Sequence, residues 1–138
     1  MTPIAVYVHV PFCAKRCGYC DFNTFALSGE LVDRTVKATI RDIEQSPAAG
    51  RPAKTVFFGG GTPTRLSGEQ LQELLHAVRR VHPWDDSIEV SSEANPSSSD
   101  HAKFAAMREA GFNRLSIGAQ SFSPEELRQL GRNHAPTD

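Results

Sequence analysis

The sequence predicts an α/β chain of four consecutive strand-then-helix units around a parallel sheet. Three observations carry that expectation. Apolar residues recur with period two and then with helical period, four times over, along 138 residues. Turn formers separate these stretches. The first, third and fourth predicted strands also carry one apolar and one polar face.

The elements follow in order. Residues 4–10 alternate, with Ile4, Val6, Val8 and Val10 on one face. Residues 29–45 read as a helix on Val32, Val36, Ile40 and Ile43, and the turn-rich stretch 46–53 breaks it. Residues 54–58 form a second strand. Ser67 to Gln70 have the form of a capping box, followed by Leu71, Leu74, Leu75 and Val78 at helical spacing until Pro83. Residues 87–93 form a third strand and 99–110 a third helix, closed by Gly111. Residues 113–119 form the fourth strand. Ser123-Pro124-Glu125-Glu126 predicts a second capping box, with proline at the first helical position.

An open doubly wound sheet and a barrel both fit this rhythm, and strand parity favours the barrel. Opposite the apolar faces lie Tyr7 and His9; Glu89, Ser91 and Glu93; Arg114, Ser116, Gly118 and Gln120. A face this polar suits a lumen that holds a ligand, whereas a flat parallel sheet carries apolar runs on both sides.

Composition narrows the function classes. Hydrophobic residues make up 39% and charged residues 22%, the proportions of a globular domain. A net charge of −1 gives no reason to expect nucleic acid or an anionic membrane as a partner. No secretory signal opens the chain and no stretch has the apolar length of a membrane span, so no stable membrane insertion and a cytoplasmic location are expected.

The three cysteines, Cys13, Cys17 and Cys20, form C-x3-C-x2-C directly after the first strand. An odd, clustered set is a poor disulfide framework. Iron–sulfur cubanes are held by thiolates, usually four, and three leave one iron open to chelate an amino acid. That geometry suits a [4Fe–4S] cluster beside S-adenosylmethionine (SAM). The competing interpretation is structural zinc, which needs a fourth ligand such as His9 because no second cysteine pair exists. Lys15 and Arg16 either offset a cluster's charge or are solvated loop charges.

Other candidates follow the carboxyl ends of the remaining strands, where parallel β/α folds build their sites. Gly59-Gly60-Gly61-Thr62 after the second strand is expected to offer free backbone groups to a ligand. Glu93 ends the third strand and suits an ammonium or hydroxyl. Gln120 ends the fourth and presents both donors and acceptors.

With these residues in view, the chain resembles the radical SAM superfamily, and within it the group around oxygen-independent coproporphyrinogen III oxidase. The segments YVHVPFCAKRCGYCDF, FFGGGTPT, SSEANP, NRLSIGAQSF and LGRNH carry the likeness over nearly the whole length. The resemblance implies cluster ligation by Cys13, Cys17 and Cys20, and SAM contacts from Tyr7, Tyr19, Gly60, Gly61, Thr62, Glu93, Gln120 and Arg132. It implies a partial radical SAM barrel, with residues 1–138 as the N-terminal part of a core of about six β-α units. It also implies an electron donor such as flavodoxin or ferredoxin.

Phe22 bears on the subgroup. Decarboxylating oxidases resemble C-x3-C-x2-C-x-C, and here Phe22 takes the place of the last cysteine. YCDFN and LGRNH are similar to the HemW-type haem chaperones, which implies haem and haem-acceptor proteins as partners. The competing expectations are the oxidase itself and a non-functional fragment, because the family is longer than this chain. The chaperones' haem-associated segment lies beyond Asp138, so the resemblance assigns no haem ligand here, and the fourth strand is expected to present an open edge.

Overall fold

The computed structural model describes residues 1–13, 18–19 and 29–138. Among them the strands are β1 (Ile4–Val10), β2 (Ala53–Gly60), β3 (Glu89–Ala94) and β4 (Arg114–Ile117). The helices are α1 (Glu30–Glu44), α2 (Gly68–Val81), α3 (His101–Ala110) and α4 (Pro124–Gln129). All strand pairs are parallel and the sheet order is β1-β2-β3-β4. A doubly wound sheet would reverse its order partway. Here each unit adds its strand on the same side of the last, which is the winding of a barrel wall. None of the helices is long and apolar enough to cross a membrane, among the described residues.

The apolar stripes seat as their spacing predicts. Val32 and Val36 of α1 and Leu71, Leu74, Leu75 and Val78 of α2 are buried against Val8, Val10, Val56, Phe58 and Val90. Met107 of α3 joins them, and Phe112 meets Phe58 edge-on at 5.0 Å. On the opposite sheet face, among the described residues, Tyr7 is 55% exposed while Ser91 is buried. At the edge of the described sheet, Ile117 of β4 is 53% exposed although it lies on the apolar face.

Several boundaries move for local reasons. Strand β2 runs on through Gly59 and Gly60, which pair with His9 and Val10. Strand β3 starts two residues late because the Asp85 carboxylate accepts the Ser87 N–H at 2.8 Å and holds a turn. Strand β4 is short at both ends. The Asn113 side chain accepts the Val90 N–H and donates to the Ile88 carbonyl, both at 2.8 Å, replacing ladder bonds. Beyond Ile117, tight i→i+2 bonds from Ala119 to Ile117 and from Ser121 to Ala119 turn the chain away.

The first capping box forms in full: Ser67 accepts the Gln70 N–H at 3.1 Å and Gln70 accepts the Ser67 N–H at 2.9 Å. The second forms only half. Ser123 accepts the Glu126 N–H at 3.4 Å, but the Glu126 carboxylate takes the Ser121 hydroxyl instead. The Ser123 N–H then donates to Ser121 Oγ at 3.0 Å. Ser121 competes successfully because the turn before α4 brings it within reach. Helix α3 starts at His101 on the Asp100 cap. Two short 3-10 turns, Pro63–Arg65 and Pro96–Ser98, follow β2 and β3.

Candidate functional site

The carboxyl ends of β1, β2 and β3 bring together most of the sequence-predicted residues. In-register pairing puts Tyr7 beside Phe57 and Phe57 beside Ser91, all on one sheet face, where Tyr7 is exposed and Ser91 is buried. The Tyr7 and Phe57 rings stack at 5.9 Å and 18°. Tyr7 shares a hydrogen bond of 3.0 Å with His9 Nδ1. Burial, and then the negative charge of Glu93, push the Tyr7 phenol above its ordinary range.

Glu93 lies over the glycine run. Burial raises its carboxyl above the ordinary carboxylate range, while a hydrogen bond from the Gly60 backbone and attraction to His9 act the other way. A carboxylate so placed suits an ammonium or hydroxyl partner, whose bond would offset the desolvation.

The glycine run works differently from the expectation of free amides. The Gly60 backbone is engaged by Glu93. The Gly61 N–H donates to the Val10 carbonyl and the Thr62 N–H to the Phe12 carbonyl, each at 2.7 Å. These bonds strap the loop after β2 onto the segment that leads into the cysteine loop. Gly60 has φ 109°, and a Cβ there would lie 2.6 Å from the His9 ring. A Cβ on Gly61 would lie 2.7 Å from the Phe12 carbonyl oxygen. The run therefore serves close backbone approach within the protein, and the N–H groups of Gly60, Gly61 and Thr62 have partners there.

Thr62 is buried, and its hydroxyl donates to Cys13 Sγ at 3.5 Å. Cys13 is itself half-buried. A thiol in the loop after a strand, with an O–H aimed at its sulfur, fits one ligand of an iron–sulfur group. Cys17 and Cys20 lie outside the described residues, as do Lys15, Arg16 and Phe22.

A second group gathers after β4. Arg132 Nη1 donates to the Tyr19 hydroxyl at 3.0 Å, and its Nη2 donates to the Gly118 carbonyl at 2.6 Å. The Gly18 N–H donates to the Leu130 carbonyl at 3.3 Å. The described part of the cysteine loop is thus tied to the segment after α4. Gln120 is the single non-glycine residue with positive φ, 63°, among those described. Its Nε2 lies 3.1 Å from the position a Cβ on Gly118 would take. His134, from the LGRNH segment, bonds the Ala119 carbonyl at 2.9 Å and so braces the same turn.

Sequence reasoning singled out His9 only as a possible zinc ligand, yet it packs on Gly60 and bonds Tyr7. It did not point to Phe57 or Thr64. The available signals were the parity that puts Phe57 on the lumen face of β2 and the Thr-Pro turn that carries Thr64 inward.

Comparisons with known proteins bear on the family and the fold. The family model of the radical SAM superfamily matches residues 7–138. The chain is 44% identical over 141 residues to a protein of Escherichia coli named Heme chaperone HemW, covering 100% of this chain and 37% of that one. A Bacillus subtilis protein of the same name is 42% identical over 137 residues, covering 97% and 36%. A bovine mitochondrial protein, radical S-adenosyl methionine domain-containing protein 1, is 41% identical over 138 residues, covering 97% and 31%. Among solved structures, the Escherichia coli coproporphyrinogen III oxidase HemN, described as a radical SAM enzyme, superposes with TM-score 0.87 at 33% identity. That match covers 96% of this chain and 31% of the oxidase chain. The four β-α units thus share the fold of part of that enzyme, and the chain spans just over a third of the bacterial relatives' length.

Proposed function

The chain belongs to the radical SAM superfamily, and on that premise we propose that it is the cofactor-holding, N-terminal part of a haem chaperone's radical SAM core. The complete protein would bind haem and pass it to acceptor proteins in the cytoplasm, with flavodoxin or ferredoxin as electron donor. The observation that carries the choice comes from within one organism: the chain is 44% identical to the Escherichia coli haem chaperone and 33% identical to its coproporphyrinogen oxidase. Phe22, where the oxidases resemble a further cysteine, points the same way.

Cys13, Cys17 and Cys20 would hold a [4Fe–4S] cluster, leaving one iron for SAM. When bound, the reduced cluster and SAM supply radical chemistry through one-electron cleavage of SAM. The protein's own work is placement. Thr62 directs its O–H at the Cys13 sulfur and so stabilises added negative charge there. Glu93 suits SAM's ammonium group, and its raised proton affinity falls when that cation pairs with it. Gly60 and Gly61 keep the loop after β2 close enough for Thr62 to reach Cys13. Tyr7 borders the same face, while Tyr19, Gln120 and Arg132 close the site from the β4 side.

Anaerobic reconstitution should give about four irons per chain; zinc in their place would refute the cluster. A chain extended to the length of the relatives should bind haem and leave coproporphyrinogen III unconsumed. Turnover of that substrate would reverse the choice in favour of the oxidase.

A further inference from the structure

Lys103 occupies an electrostatically unfavourable position. It lies in the first turn of α3, three residues after the Asp100 cap, at the helix end that repels cations. Burial depresses the proton affinity of its ammonium, Asp100 opposes that effect, and Arg65 adds to it. Two short bonds offset these costs. The ammonium donates to the Thr64 carbonyl at 2.5 Å and to the Ser98 carbonyl at 2.9 Å. Those acceptors belong to different loops, the turn after β2 and the turn after β3.

The same two turns are joined beneath Lys103 by a chain of hydrogen bonds. The fully buried Thr64 accepts the Asn95 N–H at 3.2 Å. Its Oγ1 meets Ser98 Oγ at 2.7 Å, and the Ser98 hydroxyl donates to the Asn95 carbonyl at 3.2 Å. Thr64 Oγ1 thus accepts from the Asn95 backbone while sharing a hydroxyl–hydroxyl bond with Ser98, in which either oxygen can donate. Thr64 is two residues from Thr62, and Asn95 is two residues from Glu93. Lys103 therefore binds the two loops that carry the candidate SAM contacts of β2 and β3, and it does so from outside the site.

We propose that Lys103 is a positioning residue for SAM: by bridging Thr64 and Ser98 it sets the separation of Gly60–Thr62 from Glu93. This rests on the proposed SAM site and deepens it. A lysine suits the task because its single nitrogen offers three donors that diverge towards carbonyls on separate loops. Bonds with one charged partner are the stronger kind, so the bridge holds although the turns themselves are short.

The test uses the anaerobically reconstituted chain, with iron per chain, SAM affinity by equilibrium dialysis and amide hydrogen exchange as readouts. Lys103→Met keeps the side chain's length and removes its donors. It should leave iron per chain as in the wild type, weaken SAM binding about tenfold, and speed exchange in both 60–64 and 93–98. Lys103→Arg should recover most of the affinity. Gln72→Ala serves as the control, because it removes a 3.0 Å bond from α2 to the Ala106 carbonyl of α3 without touching either loop. It should leave SAM binding within about twofold. Wild-type affinity in Lys103→Met, or an equal loss in Gln72→Ala, would overturn the positioning role alone. A wild-type chain that takes up iron but no SAM would overturn the site and the role together. Should Lys103→Met fail to fold, Lys103→Gln takes its place under the same criteria.

Discussion

Gly61→Ala offers a direct test of how the site is built. A Cβ at Gly61 would lie 2.7, 2.9 and 3.0 Å from the O, N and C atoms of Phe12. Non-bonded carbon contacts settle near 3.5–4.0 Å, so one strand of backbone has to move by roughly 0.5–1 Å. The atoms struck are backbone, which no rotamer change relieves. The movement breaks or stretches the Gly61 N–H bond to Val10 and the Thr62 N–H bond to Phe12, both 2.7 Å. At about 1 kcal/mol each, plus about 1 kcal/mol for overpacking, the loss comes to about 3 kcal/mol. The displaced segment carries Cys13, so Thr62 also loses its sulfur partner. Urea denaturation under anaerobic conditions should therefore show a lower midpoint with an unchanged slope. Iron uptake should fall with it. Gly18→Ala is the control: among the described residues its Cβ would meet the Leu130 carbonyl at 3.9 Å, an ordinary contact, and it should cost under about 0.5 kcal/mol. Equal midpoints for Gly61→Ala and wild type would refute the strapped-loop geometry.

Three further outcomes follow from the same geometry. Thr62→Val removes the O–H aimed at Cys13 and should lower the cluster's reduction potential by on the order of tens of millivolts; a raised potential in spectroelectrochemistry would contradict the assigned donor. Glu93 has a folded proton affinity above its ordinary 4.5, so its stabilising contribution is complete below that value and is lost as pH rises through the folded value. Glu93→Gln should accordingly stabilise the ligand-free chain at pH 8 relative to pH 4 while weakening SAM binding, and equal gains at both pH values would argue against a buried carboxylate. Ser67→Ala removes one arm of the capping box and should cost about 1 kcal/mol by urea titration, with no change in iron content.

Much of the architecture was legible because periodicity and capping are local. Ser67 and Gln70 needed no tertiary information to declare the start of α2. Strand parity likewise separated Val8 and Val90 from Tyr7 and Glu93, since alternation reports the face directly. The failures were cases of competition. Glu126 lost the Ser123 N–H because Ser121 reached both groups, and nothing in the S-x-x-E spacing reveals a rival two residues upstream. Asn113 looked like strand, yet its amide side chain substituted for the ladder. The approach of the Phe12 segment to the glycine run was not legible either, because a tripeptide of glycines does not say which backbone will come close to it. Lys103 was invisible for a related reason: its two acceptors are carbonyls, which every residue carries.

The row Tyr7, Phe57, Ser91 and Arg114 sets a scale for whatever occupies that sheet face. Four in-register positions on neighbouring strands, each about 4.8 Å from the next, make a floor about 14 Å wide. Its width is fixed by backbone hydrogen bonding and its depth by side-chain size. Ser91 is only 1% exposed, so the accessible part of that floor is carried by the larger side chains of Tyr7 and Arg114. Capacity and cofactor grip are therefore separately adjustable, one by residues at mid-strand and the other by residues at strand ends.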